Sequence, residues 1–306
     1  MSKELGLGKV SKGAFERLVA PHLPLESPPQ LDGGRIWVEG ETIVAHSPSI
    51  GLPLQALGFF ALHYAATNVA CRFGVPRWLV AGIYLPLGSR EEELETIAKQ
   101  LGAEAKRYGV KVVAGQTATY YGLQIPLLTA TCLGPPISKP PPPTPGDQVA
   151  LAGLLGGEAL WLKTLAGEAQ AEVDWRRLTP LPAALALNSL EEVRLLHDVS
   201  EGGLKGALLE LAQGLGCGLE LSTENLKYHP GAEGLGEDLL KAPTYGTLLV
   251  VAQRGALPRI EETLKPLGLP LAPLGSLVEG QGVTLDGEEI SEAGRGGIDE
   301  LYGRVT

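Results

Sequence analysis

The sequence predicts a two-domain protein of the α/β (α+β) class, with β-strands and α-helices mixed in both halves. The chain has 306 residues, more than a typical single domain contains. A proline-rich segment at residues 135–147, PPISKPPPPTPGD, predicts an extended linker. On either side of it, short apolar runs alternate with segments of helical periodicity. We place the N-terminal domain at residues 1–138 and the C-terminal domain at residues 146–306.

The composition is that of a globular protein and argues against several functional classes. Hydrophobic residues make up 44% and charged residues 20%, with no apolar stretch of transmembrane length, so we expect no membrane partner. The formal charge of −10 opposes extended contact with nucleic acid. Cys71, Cys132 and Cys217 are three in number, far apart and without a CxxC pair, which argues against a zinc site and a disulfide framework. The first residues lack a signal peptide's apolar core, which predicts a cytoplasmic location.

The N-terminal half contains strand and helix patterns in turn. The alternation in RIWVEGETIVAH predicts a β-hairpin with its turn at Glu39-Gly40. Ser89 and Glu92 have the spacing of a capping box, which predicts the start of an amphipathic helix that Gly109 ends. The predicted elements are a hairpin at 35–46, helices at 54–73 and 89–108, and strands at 78–85, 110–114 and 123–132.

The C-terminal half begins with a strand, DQVALAG, that leads through Gly156 and Gly157 into a helix. Apolar runs and amphipathic segments then continue to residue 285. The predicted elements are strands at 147–153, 219–221, 247–252, 272–277 and 283–285, together with helices at 157–165, 182–196, 204–215 and 257–267.

The strongest candidate for a binding site is the stretch DVSEGG, from Asp198 to Gly203. Glycines at the start of a helix leave backbone N–H groups that can hold phosphate, and nearby carboxylates can hold its magnesium ion. Helix capping by Asp198 or Ser200 explains the same letters. The residues alone leave both interpretations open.

Four other places carry residues that suit a ligand, each with an ordinary structural explanation. Gly115 and Thr117 follow a predicted strand, where the pattern favours a plain turn over a ligand contact. Asn68 lies in an apolar helix, where a buried amide needs a partner of some kind. Asp32 precedes two glycines, as a metal ligand or a surface turn would. His63 and Cys71 lie two turns apart on the apolar helix, which favours core packing over a nucleophile with its base.

Taken in order, the motifs resemble those of the AIR synthase-like superfamily, and most of all its HypE-like, AIR synthase-related members. The resemblance covers nearly the whole chain. It rests on LGLGKVSKGAFERLVAPHL, NVACRFGVPRWL, GVKVVAGQTATYYGLQIPLLTATCLG, PGDQVALAG and HDVSEGGLKGALLELA.

The resemblance implies an AIR synthase-like fold, with an N-terminal mixed sheet that forms a barrel in a homodimer and a C-terminal α/β sandwich. It also implies ATP and Mg²⁺ as cofactors, bound between the halves, and a possible maturation partner protein. Asp32 and Asp198 are then the expected metal ligands. The residues expected to bind ATP or its phosphates are Asn68, Gly115, Thr117, Asp198, Glu201, Gly202 and Gly203.

The sequence departs from the superfamily pattern at several of these positions. Ser47 and Thr67-Asn68 stand where relatives carry aspartates, and Ala118 stands where many carry glutamate. Because neutral oxygen ligands bind a hard cation less well than carboxylates, we expect weaker magnesium binding. The sequence ends in DELYGRVT, without the terminal cysteine that HypE modifies, so we expect no such reaction on the chain itself.

Three functions are consistent with these observations. The first is a HypE-like, ATP-binding protein that activates a small or protein-carried substrate in hydrogenase maturation or related metabolism. The second is a non-catalytic dimeric scaffold or binding protein of the same superfamily, which the missing carboxylates favour. The third is an enzyme similar to thiamine monophosphate kinase. Catalytic residues are not predicted.

Overall fold

The computed structural model describes residues 4–26, 36–235 and 238–292. They form two compact units, each with its own sheet. The first unit holds the described residues up to Val69 and Gly74–Pro136, and the second holds Ala70–Phe73 and the described residues from Ile137 onward. Every helix within the described residues is too short or too polar to traverse a bilayer.

The first unit is a five-stranded mixed sheet in the order β1-β4-β3-β5-β2. Strands β3 and β4 are parallel and are joined through helix α3, whereas the other neighbours are antiparallel. Parallel neighbours require a crossover connection of this kind. The elements are β1 (Gly8–Lys9), α1 (Lys12–Leu18), β2 (Ile43–Ile50), α2 (Leu54–Cys71), β3 (Trp78–Pro86), α3 (Glu91–Arg107), β4 (Lys111–Tyr120) and β5 (Leu127–Gly134).

Helix α2 packs between the sheet and α3, which explains why it is apolar on all sides. The Ser49 hydroxyl of β2 donates to the Leu57 carbonyl of α2 over 3.2 Å. Helix α3 is amphipathic and begins at Glu91, two residues later than predicted. Its N-cap is Arg90, whose backbone N–H donates to the Glu93 carboxylate over 2.6 Å. The Ser89 and Glu92 capping box is therefore wrong, although the helix it predicts is present.

The second unit is a seven-stranded mixed sheet in the order β12-β11-β8-β10-β6-β9-β7, with one parallel pair, β11 and β8. Helix α6 packs Leu204, Leu208 and Leu211 into an apolar core on one face of this sheet. The elements are β6 (Gln148–Ala152), α4 (Gly157–Leu165), α5 (Leu181–Leu187), β7 (Val193–Val199), α6 (Gly203–Leu215), β8 (Gly218–Leu221), β9 (Thr247–Ala252), α7 (Leu257–Leu264), β10 (Leu271–Val278), β11 (Val283–Leu285) and β12 (Glu288–Ile290).

Two predicted elements are wrong. The hairpin at 35–46 is absent, because β2 begins at Ile43 and pairs with the distant strand β5. The helix at 182–196 is divided, because α5 ends at Leu187 and the following apolar residues form β7, which pairs with β9. In both places the local pattern is compatible with several secondary structures, and pairing with a strand far along the chain determines which one forms.

The predicted turn that contains Gly115 and Thr117 is also absent, since β4 continues straight through it to Tyr120. The pairing of β4 with β3 shifts register between Leu79 and Val80 and then continues to Tyr120. Three short elements, β1, α1 and β12, have no counterpart in the prediction.

Candidate functional site

The glycine-rich turns of the second unit gather at one end of its sheet. Ala152, at the end of β6, pairs with Leu248 of β9, and Val199, at the end of β7, pairs with Thr247. Because β6 and β7 both run antiparallel to β9, their carboxyl ends meet where β9 begins. Each strand then passes through a glycine-rich turn into a helix, α4 after β6 and α6 after β7. Two helix N-termini therefore lie at this end, where their dipoles favour an anion.

The two glycines at the start of α6 have different surroundings. Gly202 is the N-cap with φ 81°, and Gly203 follows with φ 63°. A Cβ atom on Gly203 would lie 2.7 Å from the carbonyl oxygens of Leu240 and Ala242. A Cβ atom on Gly202 would meet only the Gly206 Cα, at 3.7 Å. Gly203 is therefore needed for packing, whereas Gly202 borders open space that a ligand can enter.

Other protein groups occupy part of the first turn of α6. The Gly203 N–H donates to the Ser200 carbonyl over 3.1 Å, and the Lys205 N–H donates to the Leu240 carbonyl over 2.8 Å. The Lys205 ammonium lies 3.0 Å from a carboxylate oxygen of Asp238. Lys205 was not among the site residues predicted from the sequence. Its position depends on the contact with Asp238, which is 33 residues away in the chain.

Asp198 is the half-buried acidic group at this turn, and Glu201 is exposed. Burial raises the pKa of the Asp198 carboxyl above its usual value, and the neighbouring His197 opposes that rise. The His197 Nε2 atom lies 3.1 Å from a carboxylate oxygen of Glu210 on α6. A desolvated carboxylate of this kind gains stability when a cation binds next to it.

The start of α4 forms a second glycine-rich turn that the sequence reasoning did not assign to a site. The Gly156 N–H donates to the Thr244 hydroxyl over 3.0 Å. The buried Glu158 carboxylate accepts from the Tyr245 N–H over 2.7 Å. The His229 ring lies beside Gly157. The available sequence signal was the glycine pair directly after a buried strand.

The site residues predicted in the first unit lie on the helix-facing side of its sheet. The Asn68 amide of α2 donates to the Ser47 hydroxyl of β2 over 3.4 Å. Ser47, Ala130, Ala81 and Gly115 lie opposite one another in a single row across β2, β5, β3 and β4. The structure therefore brings Asn68 and Ser47 together and places Gly115 in the same row, three strands away from Ser47.

Gly115 and Thr117 both have structural roles in β4. A Cβ atom on Gly115 would lie 2.1 Å from the Ala81 carbonyl oxygen, so this close approach of the strands requires glycine. Thr117 is buried, and its carbonyl accepts from the Val10 N–H over 2.9 Å. These contacts explain both residues without a ligand, and their predicted ATP contacts remain a prediction.

The described residues offer a limited set of magnesium ligands. Within 4–26, 36–235 and 238–292, no group of three or more His, Cys, Asp or Glu side chains is arranged to hold a metal ion. Asp32 lies outside the described residues. Magnesium commonly takes one or two carboxylates and completes its coordination with phosphate oxygens and water. Asp198 fits the role of that single carboxylate.

His63 and Cys71 have the packing roles that their spacing favoured. The His63 imidazole is fully buried, stacks on Phe59 at 3.9 Å and lies 2.9 Å from the Glu104 carboxylate. Burial lowers the pKa of His63 and raises that of the Cys71 thiol, so neither is prepared to act as a base or nucleophile with the other.

Both halves of the chain match domains of a known family. Residues 31–135 match AIR synthase related protein, N-terminal domain, and residues 144–288 match AIR synthase related protein, C-terminal domain. The two matches span most of the chain. The chain therefore belongs to the AIR synthase-related superfamily, and its two-domain, mixed α/β architecture is the fold of that superfamily.

Several HypE proteins are similar to the chain over most of its length. Carbamoyl dehydratase HypE of Escherichia coli strain K12 is 27% identical over 285 residues, which are 86% of this chain and 84% of that protein. A crystal structure of HypE in complex with ATP superimposes with a TM-score of 0.80 at 19% identity, covering 92% and 95% of the two chains. A HypE–HypF complex gives a TM-score of 0.69 at 20% identity, covering 83% and 90%.

Proposed function

We propose that this protein is a HypE-like, ATP-binding member of the superfamily that activates a small or protein-carried substrate in hydrogenase maturation or related metabolism. The observation that carries the proposal is the turn between β7 and α6. There a half-buried carboxylate with a raised pKa, Asp198, precedes a helix N-terminus at which Gly202 borders open space. A triphosphate needs these two features together, because its charge is stabilised both by backbone N–H groups and by a shared cation.

The residues of this turn would have different roles in binding the triphosphate. Gly202 provides room for a phosphate group close to the backbone, and the α6 dipole contributes a favourable field. Asp198 would hold Mg²⁺, which would neutralise phosphate charge and polarise a phosphoryl oxygen when bound. Lys205, which Asp238 orients, adds a cation beside the same turn. The chain thus supplies phosphate-binding groups with a reduced set of carboxylates.

A second candidate function is a scaffold of the same fold that binds nucleotide weakly. It is favoured by the neutral pair Asn68 and Ser47, which occupies positions where the superfamily pattern has carboxylates. Two N–H groups in the first turn of α6, on Gly203 and Lys205, are also taken by protein carbonyls. Both observations reduce the affinity expected for a magnesium triphosphate.

Calorimetry with ATP and MgCl2 separates the two functions. We expect binding by the parent protein, and a loss of affinity of at least tenfold, or about 1.4 kcal/mol, in Asp198→Asn. Glu262→Gln is the matched control, because it removes one negative charge from an exposed position on α7. If the parent protein gives no heat of binding, the scaffold function is favoured. If Asp198→Asn binds ATP as tightly as the parent, Asp198 does not belong to the ATP site.

We also propose that the protein forms a homodimer through the outer face of its first sheet. On β2, the side chains that point away from α2 are exposed, including Val44 at 60% and Ile50 at 42%, and they alternate with less exposed ones. Tyr84 and Tyr120 continue this face across β3 and β4, with their rings 6.0 Å apart. An apolar face of this extent supports an interface between two copies.

A maturation partner is proposed on a different ground. One similar protein, HypE, has been solved in complex with HypF. We propose that this chain binds a partner of the same kind, which would supply a substrate carried on protein.

A further inference from the structure

A cleft of about 850 Å³ lies within the second unit, away from the glycine-rich turns. Three segments line it: the first part of the proline-rich linker around Lys139, the loop before β7 with Arg194 at the start of that strand, and the turn between β9 and α7 at Arg254. Its volume falls in the range of roughly 300–1,000 Å³ that is usual for small-molecule sites. The cleft is therefore large enough for an organic ligand.

The cleft and the glycine-rich turns lie at opposite ends of the second sheet. Val193, at the start of β7, pairs with Ala252, at the end of β9, and the cleft residues flank this pair. The turn into α6 begins at the other end of β7, after Val199. With a rise of about 3.3 Å per residue, the seven residues of β7 separate the two places by roughly 20 Å. A ligand in the cleft does not compete with one at the α6 turn.

The lining is cationic on a protein that is strongly anionic overall. Four cationic residues face two acidic ones, Glu191 and Glu192, so the local formal charge is +2 while the whole chain carries −10. The four cations are Lys139, Arg194, Arg254 and Arg259. A local excess of positive charge on such a protein attracts anions selectively to this cleft.

Some charged side chains of the lining already form ion pairs or hydrogen bonds within the protein, and others do not. Arg259 is paired with Glu192. Arg194 is oriented by the Glu191 carbonyl at 3.3 Å and the Gln253 side-chain oxygen at 3.1 Å, which hold its guanidinium at the cleft. Lys139 and Arg254 are exposed and have no ion pair among the described residues. One oriented guanidinium and two cations without an ion pair make a suitable receptor for a dianion.

Helix α7 adds a further feature that favours phosphate. It begins at Leu257, next to the cleft, and its N-cap, Ala256, provides no side-chain cap. The preceding turn is held in place because the Gly255 N–H donates to the Gln148 side-chain oxygen over 2.7 Å. Pro258 has no N–H and the Arg259 N–H donates to the Ala256 carbonyl over 3.1 Å, so α7 contributes mainly its dipole to phosphate binding.

We propose that this cleft binds a small molecule that carries a phosphate monoester. Lys139, Arg194 and Arg254 contact the phosphate group, and the remainder of the cleft receives the organic part of the ligand. This site is separate from the ATP site proposed at the α6 turn, so the second unit would bind two ligands.

The test uses inorganic phosphate as the probe, titrated into the full-length protein by calorimetry at constant ionic strength. We expect phosphate to bind the parent, with affinity at least tenfold weaker in the double variant Lys139→Gln/Arg254→Gln. Lys265→Gln is the matched control, because it removes an exposed positive charge from the far end of α7. Amide spectra of the parent should shift at Gly255 upon addition of phosphate.

Three results would overturn the proposal. They are no binding of phosphate by the parent, equal affinity in the parent and the double variant, and succinate binding as tight as that of phosphate at equal ionic strength. Since neither mutated side chain makes an ion pair in the described structure, the double variant is expected to fold, which its unchanged thermal midpoint would verify.

Discussion

At the scale of single residues, the adjacent glycines of α6 show how one motif combines two requirements. Both have positive φ, which only glycine adopts without strain. Gly203 faces the backbone of residues 240–242 at 2.7 Å, and Gly202 faces open space. One glycine therefore belongs to the fold, and the other is available to a ligand.

Alanine substitution should separate these roles. Gly203→Ala combines about 1–2 kcal/mol of backbone strain with about 1–3 kcal/mol of steric overlap, so we expect a severe loss of stability. Gly202→Ala should lose only the strain energy, while its methyl group enters the ligand space and weakens ATP binding by roughly tenfold. Chemical denaturation and ATP calorimetry measure the two effects. Equal stability of the two variants would contradict this division.

The ionised Asp198 carboxylate lowers the stability of the folded protein, although the proposed metal binding needs this charge. Because burial raises its pKa in the folded state, ionisation of this carboxyl opposes folding. The penalty is absent below the unfolded pKa of about 3.9, grows as pH rises through the folded pKa and is complete above it. A cation bound beside the carboxylate would offset this penalty.

The thermal stability of Asp198→Asn, compared with that of the parent at several pH values, should show the cost of this charge. We expect the variant to melt at a higher temperature than the parent at pH 8, since the buried charge is gone, and the difference to shrink toward pH 4. Thermal unfolding without nucleotide or metal at several pH values measures this. Glu262→Gln should show no such trend, and a variant less stable than the parent at pH 8 would contradict the assignment.

At the scale of elements, α2 and α3 approach closely because small residues lie between them. A Cβ atom on Gly58 would lie 2.5 Å from the Ile97 carbonyl oxygen and 2.7 Å from the Leu101 nitrogen, both backbone atoms of α3. The buried pair of His63 and Glu104 joins the same two helices farther along. The glycine that interrupts an apolar helix in the sequence is thus a packing requirement.

Gly58→Ala should therefore destabilise the protein although alanine is the better helix former. The steric cost of about 1–3 kcal/mol exceeds the propensity gain of about 0.5–1 kcal/mol. Gly214→Ala on α6 is the control, because a Cβ atom there meets nothing within 4 Å and should leave stability equal or higher. Denaturant midpoints provide the comparison. A Gly58→Ala variant as stable as Gly214→Ala would show that α3 can shift freely.

At the scale of the whole molecule, the outer face of the first sheet carries apolar side chains that the described residues of the chain leave partly exposed. Val44 and Ile50 are exposed there although they belong to a strand whose alternate residue, Ser49, is buried against α2. Among the described residues the sheet is open, with β1 and β2 at its edges. A barrel would arise by pairing with a second copy.

Replacement of this face should convert the proposed dimer to a monomer. In light scattering, the parent should show twice the chain mass of 32.1 kDa, and Val44→Asp/Ile50→Asp should show the chain mass itself, because buried carboxylates at the interface are costly. Ile137→Asp replaces an exposed apolar residue outside the sheet and should remain dimeric. A parent of single mass, or a double variant of unchanged mass, would contradict the dimer.

The sequence by itself determined the superfamily, the fold class and most of the longer elements. Helices α2, α3 and α6 and strands β3 and β9 carry their periodicity, burial pattern or start signals within a few neighbouring residues, and such local information survives in a single sequence. The stretch from Asp198 to Gly203 was likewise recognisable as a strand-to-helix turn.

Only the tertiary structure decided which partner each ambiguous segment takes and what each site residue touches. β7 is a strand because β9 lies beside it, Gly115 is glycine because the Ala81 carbonyl approaches it, and Gly203 is closed to ligands because residues 240–242 pack there. These outcomes depend on residues 30 or more positions away, so no local pattern could reveal them. The cationic cleft was invisible for the same reason, since its three segments meet only in the folded chain.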